Sequence, residues 1–363
     1  MEKLSIYIHI PFCENKCKYC DFVSFAYKGE CVEKYITSLV QEINDFDSSG
    51  YVVDSIFIGG GTPTFINEKY LASIFQAVKS NFKLDLKEFT IEGNPSSYTQ
   101  EKVKFYKELG VTRLSVGVQS LNDEVLKGIG RIHNSKQACD CLKMLVQSGL
   151  DINCDMMIGL PYQTLNIVEN DIKDVIDIGV NSVSCYSLIL EEGTPLYDKV
   201  NSKQLVLPND DLTVEMYDIA KITLQKSGLN RYEISNFGKP CLHNVGYWTL
   251  KEYVGFGLSA HSLIGNVRYY NTSDLCEYIA SSSRLVEEVL SKDDMIAEYI
   301  MLALRMDSGI DIGFMANKFG LESIKKLLYD IENNKKYYNI TDKNIAIKDD
   351  YMYLSNSLIT NLI

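Results

Sequence analysis

Cys13, Cys17 and Cys20 stand at Cys-x3-Cys-x2-Cys spacing directly after the run Tyr7-Ile8-His9-Ile10-Pro11-Phe12. Three thiolates on one tight loop can hold three irons of a 4Fe-4S cubane, because Cys is its usual ligand. The fourth iron is then open, and the amino and carboxylate groups of S-adenosylmethionine (SAM) can fill it. One electron from such a cluster would split the sulfonium to give a 5′-deoxyadenosyl radical. Zinc is the alternative use of the same thiols. Its closed form takes four ligands, and the nearest spare thiol, Cys31, stands at the start of a helical pattern.

Short β-branched or aromatic runs place this loop in a larger scheme. Candidate strands at Leu4–Ile10, Val53–Ile58, Glu88–Glu92, Arg113–Val118, Asp151–Met157 and Ser182–Ser187 alternate with amphipathic stretches such as Val32–Phe46 and Tyr70–Asn81. Six strand–helix units predict a parallel sheet with right-handed crossovers. Without a Rossmann fingerprint, the expected form is α/β, a partial (β/α)6 barrel. Chemistry in such barrels gathers at the C-terminal ends of the strands.

At those ends stand Gly59-Gly60-Gly61-Thr62-Pro63-Thr64, Glu92-Gly93-Asn94-Pro95 and Gly117-Val118-Gln119-Ser120. Arg131 follows in Gly130-Arg131-Ile132-His133, and Asp155 precedes Gly159-Leu160-Pro161. A glycine run lets backbone approach a ligand closely. It lacks the Gly-Lys-Ser/Thr ending of a phosphate loop, and taken alone it is also a plain tight turn. A carboxylate suits a ribose hydroxyl or an ammonium, and a guanidinium fork suits a carboxylate. Singly, each polar residue is most simply a surface or capping group; their recurrence at strand ends points to one shared site.

These motifs resemble the radical SAM superfamily, and more narrowly the branch containing oxygen-independent coproporphyrinogen III oxidase and the HemW-type heme chaperones. The similarity runs from Tyr7 to about Ala260 and less closely to the C-terminus. It implies a 4Fe-4S cluster on Cys13, Cys17 and Cys20, and SAM contacts from Tyr7, Gly60, Gly61, Thr62, Glu92, Gln119, Arg131 and Asp155. The oxidases carry a further cysteine two positions past the triplet, where this chain has Phe22. They also have an N-terminal extension that helps enclose their porphyrinogen, whereas this chain opens on its first strand.

His243-Asn244-Val245-Gly246-Tyr247-Trp248 matches the His-Asn-x-x-Tyr-Trp motif of the chaperones, in which the histidine is a candidate heme-iron ligand. Imidazole is a standard axial ligand, and Tyr and Trp can pack on a porphyrin face. A hydrogen-bonded structural histidine is the plainer reading of the same residue, and Cys241 is an alternative thiolate ligand. The function implied is a heme chaperone that binds a 4Fe-4S cluster, SAM and heme and delivers heme to target proteins. Coproporphyrinogen oxidase activity is not expected. The alternatives are that oxidative decarboxylation after all, or a radical SAM enzyme with another substrate such as RNA. Implied partners are heme, heme-accepting proteins with a membrane-associated one among them, and an electron donor if SAM is cleaved.

The 363 residues are 46% hydrophobic and 23% charged, ordinary for a soluble globular protein. A net charge of −12 argues against a generally basic nucleic-acid surface. No apolar run is long enough to span a bilayer and no secretory signal opens the chain, so a cytosolic location is expected. The other seven cysteines show no cluster spacing and are expected to be mostly small buried hydrophobes.

Past the sixth unit come a helix from about Asp210, a short strand at Arg231–Ile234 and a polar, aromatic loop around Asn236–Tyr253. Glu191 and Glu192 read as a solvated pair at a helix start, and Gly255–His261 as a return toward the barrel mouth. A serine stretch at Ser281–Ser283 suggests a linker. The division expected is barrel 1–235, connecting segment 236–290, and a small, mainly helical C-terminal domain 291–363. This last domain resembles the one that closes the branch, and is expected to cover the cavity or meet a partner.

Overall fold

Leu4, Ile6, Ile8 and Ile10 alternate with Ser5, Tyr7 and His9, the period-2 pattern of a strand with two different faces. The four aliphatic side chains are almost wholly buried. They share a core with Val32, Tyr35, Ile36, Leu39 and Ile43, which recur at helical spacing along the helix Gly29–Asp45. Burial of each such aliphatic side chain contributes about 1.5–3 kcal/mol, so this outer face fixes the register. The inner face is free to be polar.

The computed structural model describes residues 1–26, 29–281 and 284–363; Ser282 and Ser283 of the expected linker lie outside the described residues. The strands β1 (Glu2–Ile10), β2 (Tyr51–Gly60), β3 (Leu84–Gly93), β4 (Arg113–Gln119), β5 (Asp151–Ile158) and β6 (Ser182–Ser187) pair in that order, all parallel. Helices between them carry polar N-caps such as Asn67, Thr99 and Thr164, and left-handed glycines, Gly110 and Gly179, end two of them. This is the α/β partial barrel expected from the sequence.

The same sheet extends further. β7 (Arg231–Glu233) and β8 (Asn236–Gly238) add antiparallel strands beside β6. β9 (Tyr253–Phe256) lies parallel to β1 as a seventh parallel strand, with Ser5 opposite Tyr253. β10 (His261–Ile264), β11 (Val267–Asn271) and β12 (Arg284–Val289) follow antiparallel. The stretch expected to be a loop around Asn236–Tyr253 therefore holds a strand and a short helix, Leu242–Trp248. That helix crosses from the β6 side to the β1 side and packs on β2 and β3. Its contacts fall on Ser55 and Glu88, in the N-terminal parts of their strands, so it forms the barrel floor.

The C-terminal region packs its helices Lys292–Ala303, Ile312–Phe319 and Leu321–Ile331 with a three-stranded sheet around a separate core. This core takes in Leu250 and Leu263, and Lys292–Ala303 rests on the floor helix. Arg231 ties it down through Asp307 and Asp349, each at 2.7 Å. The expectation that this region covers the cavity is corrected: its apolar face is drawn to the floor, at the opposite end from the cysteine loop. Among the described residues no helix is long and apolar enough to cross a membrane. Of the seven other cysteines, Cys141, Cys154, Cys185 and Cys241 are buried, as expected for most of them; Cys31 and Cys139 are partly exposed and Cys276 is exposed.

Candidate metal and cofactor site

Past β1 the chain turns at Pro11, and Phe12–Cys13 runs parallel to Phe25–Ala26. The Gly61 N–H donates to the Ile10 carbonyl and the Thr62 N–H to the Phe12 carbonyl, both at 2.8 Å, which lays the glycine run along the cysteine loop. A Cβ on Gly61 would stand 2.8 Å from the Phe12 carbonyl oxygen and 2.9 Å from Cys13 Sγ. Gly60 has φ +111°, and a Cβ there would meet the His9 ring at 2.6 Å. Both positions demand glycine.

Cys13 is buried, while Cys17 and Cys20 are partly exposed. Burial pushes the Cys13 thiol up, and hydrogen bonds from Thr62 and Ser24 pull it back down. Cys20 is also raised, chiefly by burial. Among the described residues no three His, Cys, Asp or Glu side chains converge on a single ion position; a cubane takes its thiolates on separate irons.

A chain of hydrogen bonds running through Arg131 joins three strand ends to this loop. Asn94 Nδ2 donates to Thr62 Oγ1 at 3.0 Å, and Asn94 Oδ1 accepts from Arg131 Nη2 at 2.6 Å. Arg131 Nη1 reaches Cys17 Sγ at 3.2 Å, and the guanidinium also donates to the Gly117 carbonyl. Arg131 is thus turned toward a cysteine. On the other side, His9 Nε2 lies 2.9 Å from the Val23 carbonyl and must donate to it. His9 Nδ1 then accepts from the Tyr7 hydroxyl at 3.0 Å. Burial holds His9 neutral, below its ordinary range. Asn94 and His9, each inside a strand-end motif, join the site although residue type and spacing alone do not mark them as candidates.

Glu92 and Asp155 face the same interior. Burial, then the neighbouring Asp155, pushes Glu92 up to about 8, and the Gly60 N–H at 3.3 Å offsets this only in part. Burial raises Asp155 to about 6, against hydrogen bonds from Ser184, Ser115 and Asn153. Gln119 is buried with φ +73°, and among the described residues its Oε1 has no partner. A pocket with two carboxylates disfavouring their own charge and a spare amide oxygen fits a cationic ligand rich in donors, which SAM is.

Gln119 is held in this conformation from behind. Asp171 Oδ2 accepts from Ser120 Oγ at 2.6 Å and from the Leu121 N–H at 3.0 Å. Asp171→Ala leaves both donors without their buried acceptor and is expected to cost about 1–3 kcal/mol. Asp171→Asn keeps an acceptor oxygen and is expected to cost less. Urea unfolding of the two variants checks the ordering.

His243 is not in an open loop. Its side chain is 1% exposed on the floor helix. Nδ1 is 3.2 Å from Ser55 Oγ and Nε2 2.9 Å from the Tyr247 hydroxyl, while the ring packs on Phe57. Burial, then Lys251, lowers it to about 3. Cys241 lies beside it with Sγ 3.2 Å from Glu88 Oε1, and burial pushes its thiol up to about 12. Neither group faces the cysteine loop.

A parallel barrel with three thiols after its first strand, a glycine run after its second, and carboxylate, amide and guanidinium groups beyond defines a radical SAM fold. The model of the Radical SAM superfamily matches residues 7–175. Coproporphyrinogen III oxidase (HemN) from Escherichia coli has a similar fold, with TM-score 0.85 at 21% identity, covering 99% of this chain and 90% of that one. The heme chaperone HemW of Lactococcus lactis is 36% identical over 94% of both chains. That of Bacillus subtilis is 38% identical over 87% of both. The chain belongs to the HemW heme chaperone family.

Proposed function

We propose that the protein is a cytoplasmic heme chaperone that binds heme and passes it to heme-accepting proteins. The 36% identity to a heme chaperone, spread over 94% of both chains, is the observation that carries this reading. In it Cys13, Cys17 and Cys20 hold the 4Fe-4S cluster, and Tyr7, Gly60, Gly61, Thr62, Glu92, Gln119, Arg131 and Asp155 surround SAM. When bound, the pair supplies one-electron chemistry at the barrel mouth.

The chain's own residues prepare that place. Gly61 leaves room for the Cys13 sulfur, and Arg131 donates to Cys17 Sγ. Glu92 and Asp155 receive positive charge, the Gln119 oxygen receives a donor, and His9 orients Tyr7. Phe22 stands where the oxidases of the branch carry their further cysteine, which sets that reaction aside. The division into 1–235, 236–290 and 291–363 belongs to the same proposal, as do an electron donor and a membrane-associated acceptor.

His243 is the proposed heme-iron ligand. With both ring nitrogens bonded inside the floor, ligation requires the helix Leu242–Trp248 to move outward. Heme titrated into anaerobically reconstituted protein is expected to give a saturable, stoichiometric Soret change. His243→Ala is expected to weaken or shift that signal, and also to lower the melting temperature because the ring fills the floor. No saturable binding by the wild type would overturn the chaperone reading.

A further inference from the structure

Asn94 follows β3, and its side chain spans two parts of the site that come from different strands. Nδ2 donates to Thr62 Oγ1 at 3.0 Å, and Oδ1 accepts from Arg131 Nη2 at 2.6 Å. A guanidinium can only donate, so the amide oxygen must face Arg131 and the amide nitrogen Thr62. The main chain of Asn94 is held separately. Its N–H donates to Ser97 Oγ at 3.1 Å, and its carbonyl accepts from Ser97 Oγ at 2.8 Å and from the Ser97 N–H at 2.9 Å. Ser97 Oγ in turn lies 2.6 Å from Thr64 Oγ1, both side chains being buried. The turn is therefore anchored through its backbone, and the Asn94 side chain is turned to the site.

Arg131 spends the rest of its fork at fixed points. Nη2 also donates to the Gly117 carbonyl, and Nη1 donates to Cys17 Sγ at 3.2 Å. Nε is buried and, among the described residues, has no partner. A buried donor left open is costly, and in a fork otherwise taken up it points to an acceptor that the ligand brings. The carboxylate of SAM is such an acceptor, and a guanidinium suits it. With Nη2 held by Asn94 and Gly117, the planar group cannot turn without breaking both bonds.

We propose that Asn94 is a positioning residue, which aims Arg131 so that one arm stays on Cys17 Sγ while Nε stays open to the carboxylate of SAM. The inference rests on the assignment of the cluster and SAM to this site and does not depend on heme binding. A cationic donor on a cluster sulfur favours the reduced cluster, and so raises its potential. Loss of the Asn94 amide frees Arg131 to turn, which lowers that potential and removes a donor already aimed at the ligand. Asn94 acts through Arg131.

The test uses the full-length, anaerobically reconstituted protein. Iron and sulfide are assayed first. The midpoint potential of the SAM-free cluster is then measured by redox titration followed by electron paramagnetic resonance, and SAM affinity by equilibrium dialysis. Asn94→Ala is expected to hold as much iron as the wild type, to shift the potential downward, and to bind SAM at least about tenfold more weakly. In an Arg131→Gln background the same substitution is expected to change neither readout further, because the two residues act as one unit. Gly117→Ala is a second variant: its Cβ would stand 3.3 Å from both Asn94 Oδ1 and Arg131 Nη2 and 3.2 Å from Gln119 Nε2. Gln119 is itself a SAM contact, so this variant is read by the potential alone, which is expected to fall. A purely structural role would lower the melting temperature and leave the potential where it is. An unchanged potential or SAM affinity in Asn94→Ala, loss of its iron, or an equal effect with and without Arg131 would each overturn the proposal. A wild type that takes up neither cluster nor SAM would strike the site assignment, and the proposal with it.

Discussion

Gly61→Ala is expected to cost the protein its cluster while leaving the barrel folded. The added methyl has nowhere to go: the Phe12 carbonyl oxygen is at 2.8 Å, the Phe12 nitrogen at 2.9 Å and Cys13 Sγ at 2.9 Å. Two of the three are backbone atoms, held by the pairing of Phe12–Cys13 with Phe25–Ala26 and by the Thr62 N–H. Relief therefore comes from displacing the sulfur or splitting the glycine run from the loop. Either moves Cys13 away from the positions set by Cys17 and Cys20. The core of β1 and β2 lies beneath, on the aliphatic outer faces, and is untouched. Iron and sulfide analysis after anaerobic reconstitution is expected to show at most residual cluster, with far-UV circular dichroism like the wild type. A full complement of iron in Gly61→Ala would contradict the geometry described for this loop.

Glu92→Gln is expected to separate stability from ligand binding. Glu92 has its folded-state value raised to about 8 from 4.5. The folded, ligand-free protein then holds a proton that the unfolded chain releases, so stability falls as pH rises from about 4.5 through about 8. Removing the ionisable group removes that contribution, and the variant without SAM is expected to be more stable than wild type near pH 8. A cationic ligand draws its affinity from the ionised carboxylate, and loss of a charge-assisted contact is expected to weaken SAM binding by about tenfold or more. Asp155, raised to about 6, is expected to behave alike in a lower pH window. Thermal unfolding from pH 5 to 8.5, with and without SAM, checks both halves. A variant that is less stable without ligand and binds SAM normally would remove Glu92 from the site.

Much of this site is legible in the sequence because the elements that build it are local. A strand of alternating Leu/Ile and polar residues declares both its faces, and the residues after its end are the site by the topology of a parallel barrel. The six strands of the sequence reading all lie in the sheet, each within a few residues of its expected ends. What escapes is non-local or short. β9 has four residues, one of them Gly255, stops before Gly257, and gains its place by lying against β1. The helix Leu242–Trp248 has seven residues, contains Gly246, and lacks a side-chain cap at Cys241. The floor contacts hold it there, and its own propensity gives no sign of it.

The supporting residues escape for the same reason. Asp171 braces Gln119 from the helix Leu165–Ile178, and no spacing rule links them. The path from Thr62 through Asn94 and Arg131 to Cys17 joins four separate segments. His243 is the instructive case. Its motif is plain in the sequence, yet the fold puts the ring inside the floor, because Phe57, Ser55 and Tyr247 offer it one aromatic face and two hydrogen bonds.

Transfer of heme to an apo acceptor is the activity that defines a heme chaperone. Reconstituted protein loaded with one equivalent of heme is mixed anaerobically with membranes from heme-starved cells, which carry apo heme proteins, and the rise of membrane-bound cytochrome absorbance is followed. Faster transfer than from free heme at the same concentration is expected, and a slower rate from the Cys13→Ala/Cys17→Ala/Cys20→Ala protein. Transfer from the loaded protein no faster than from free heme would contradict the chaperone reading.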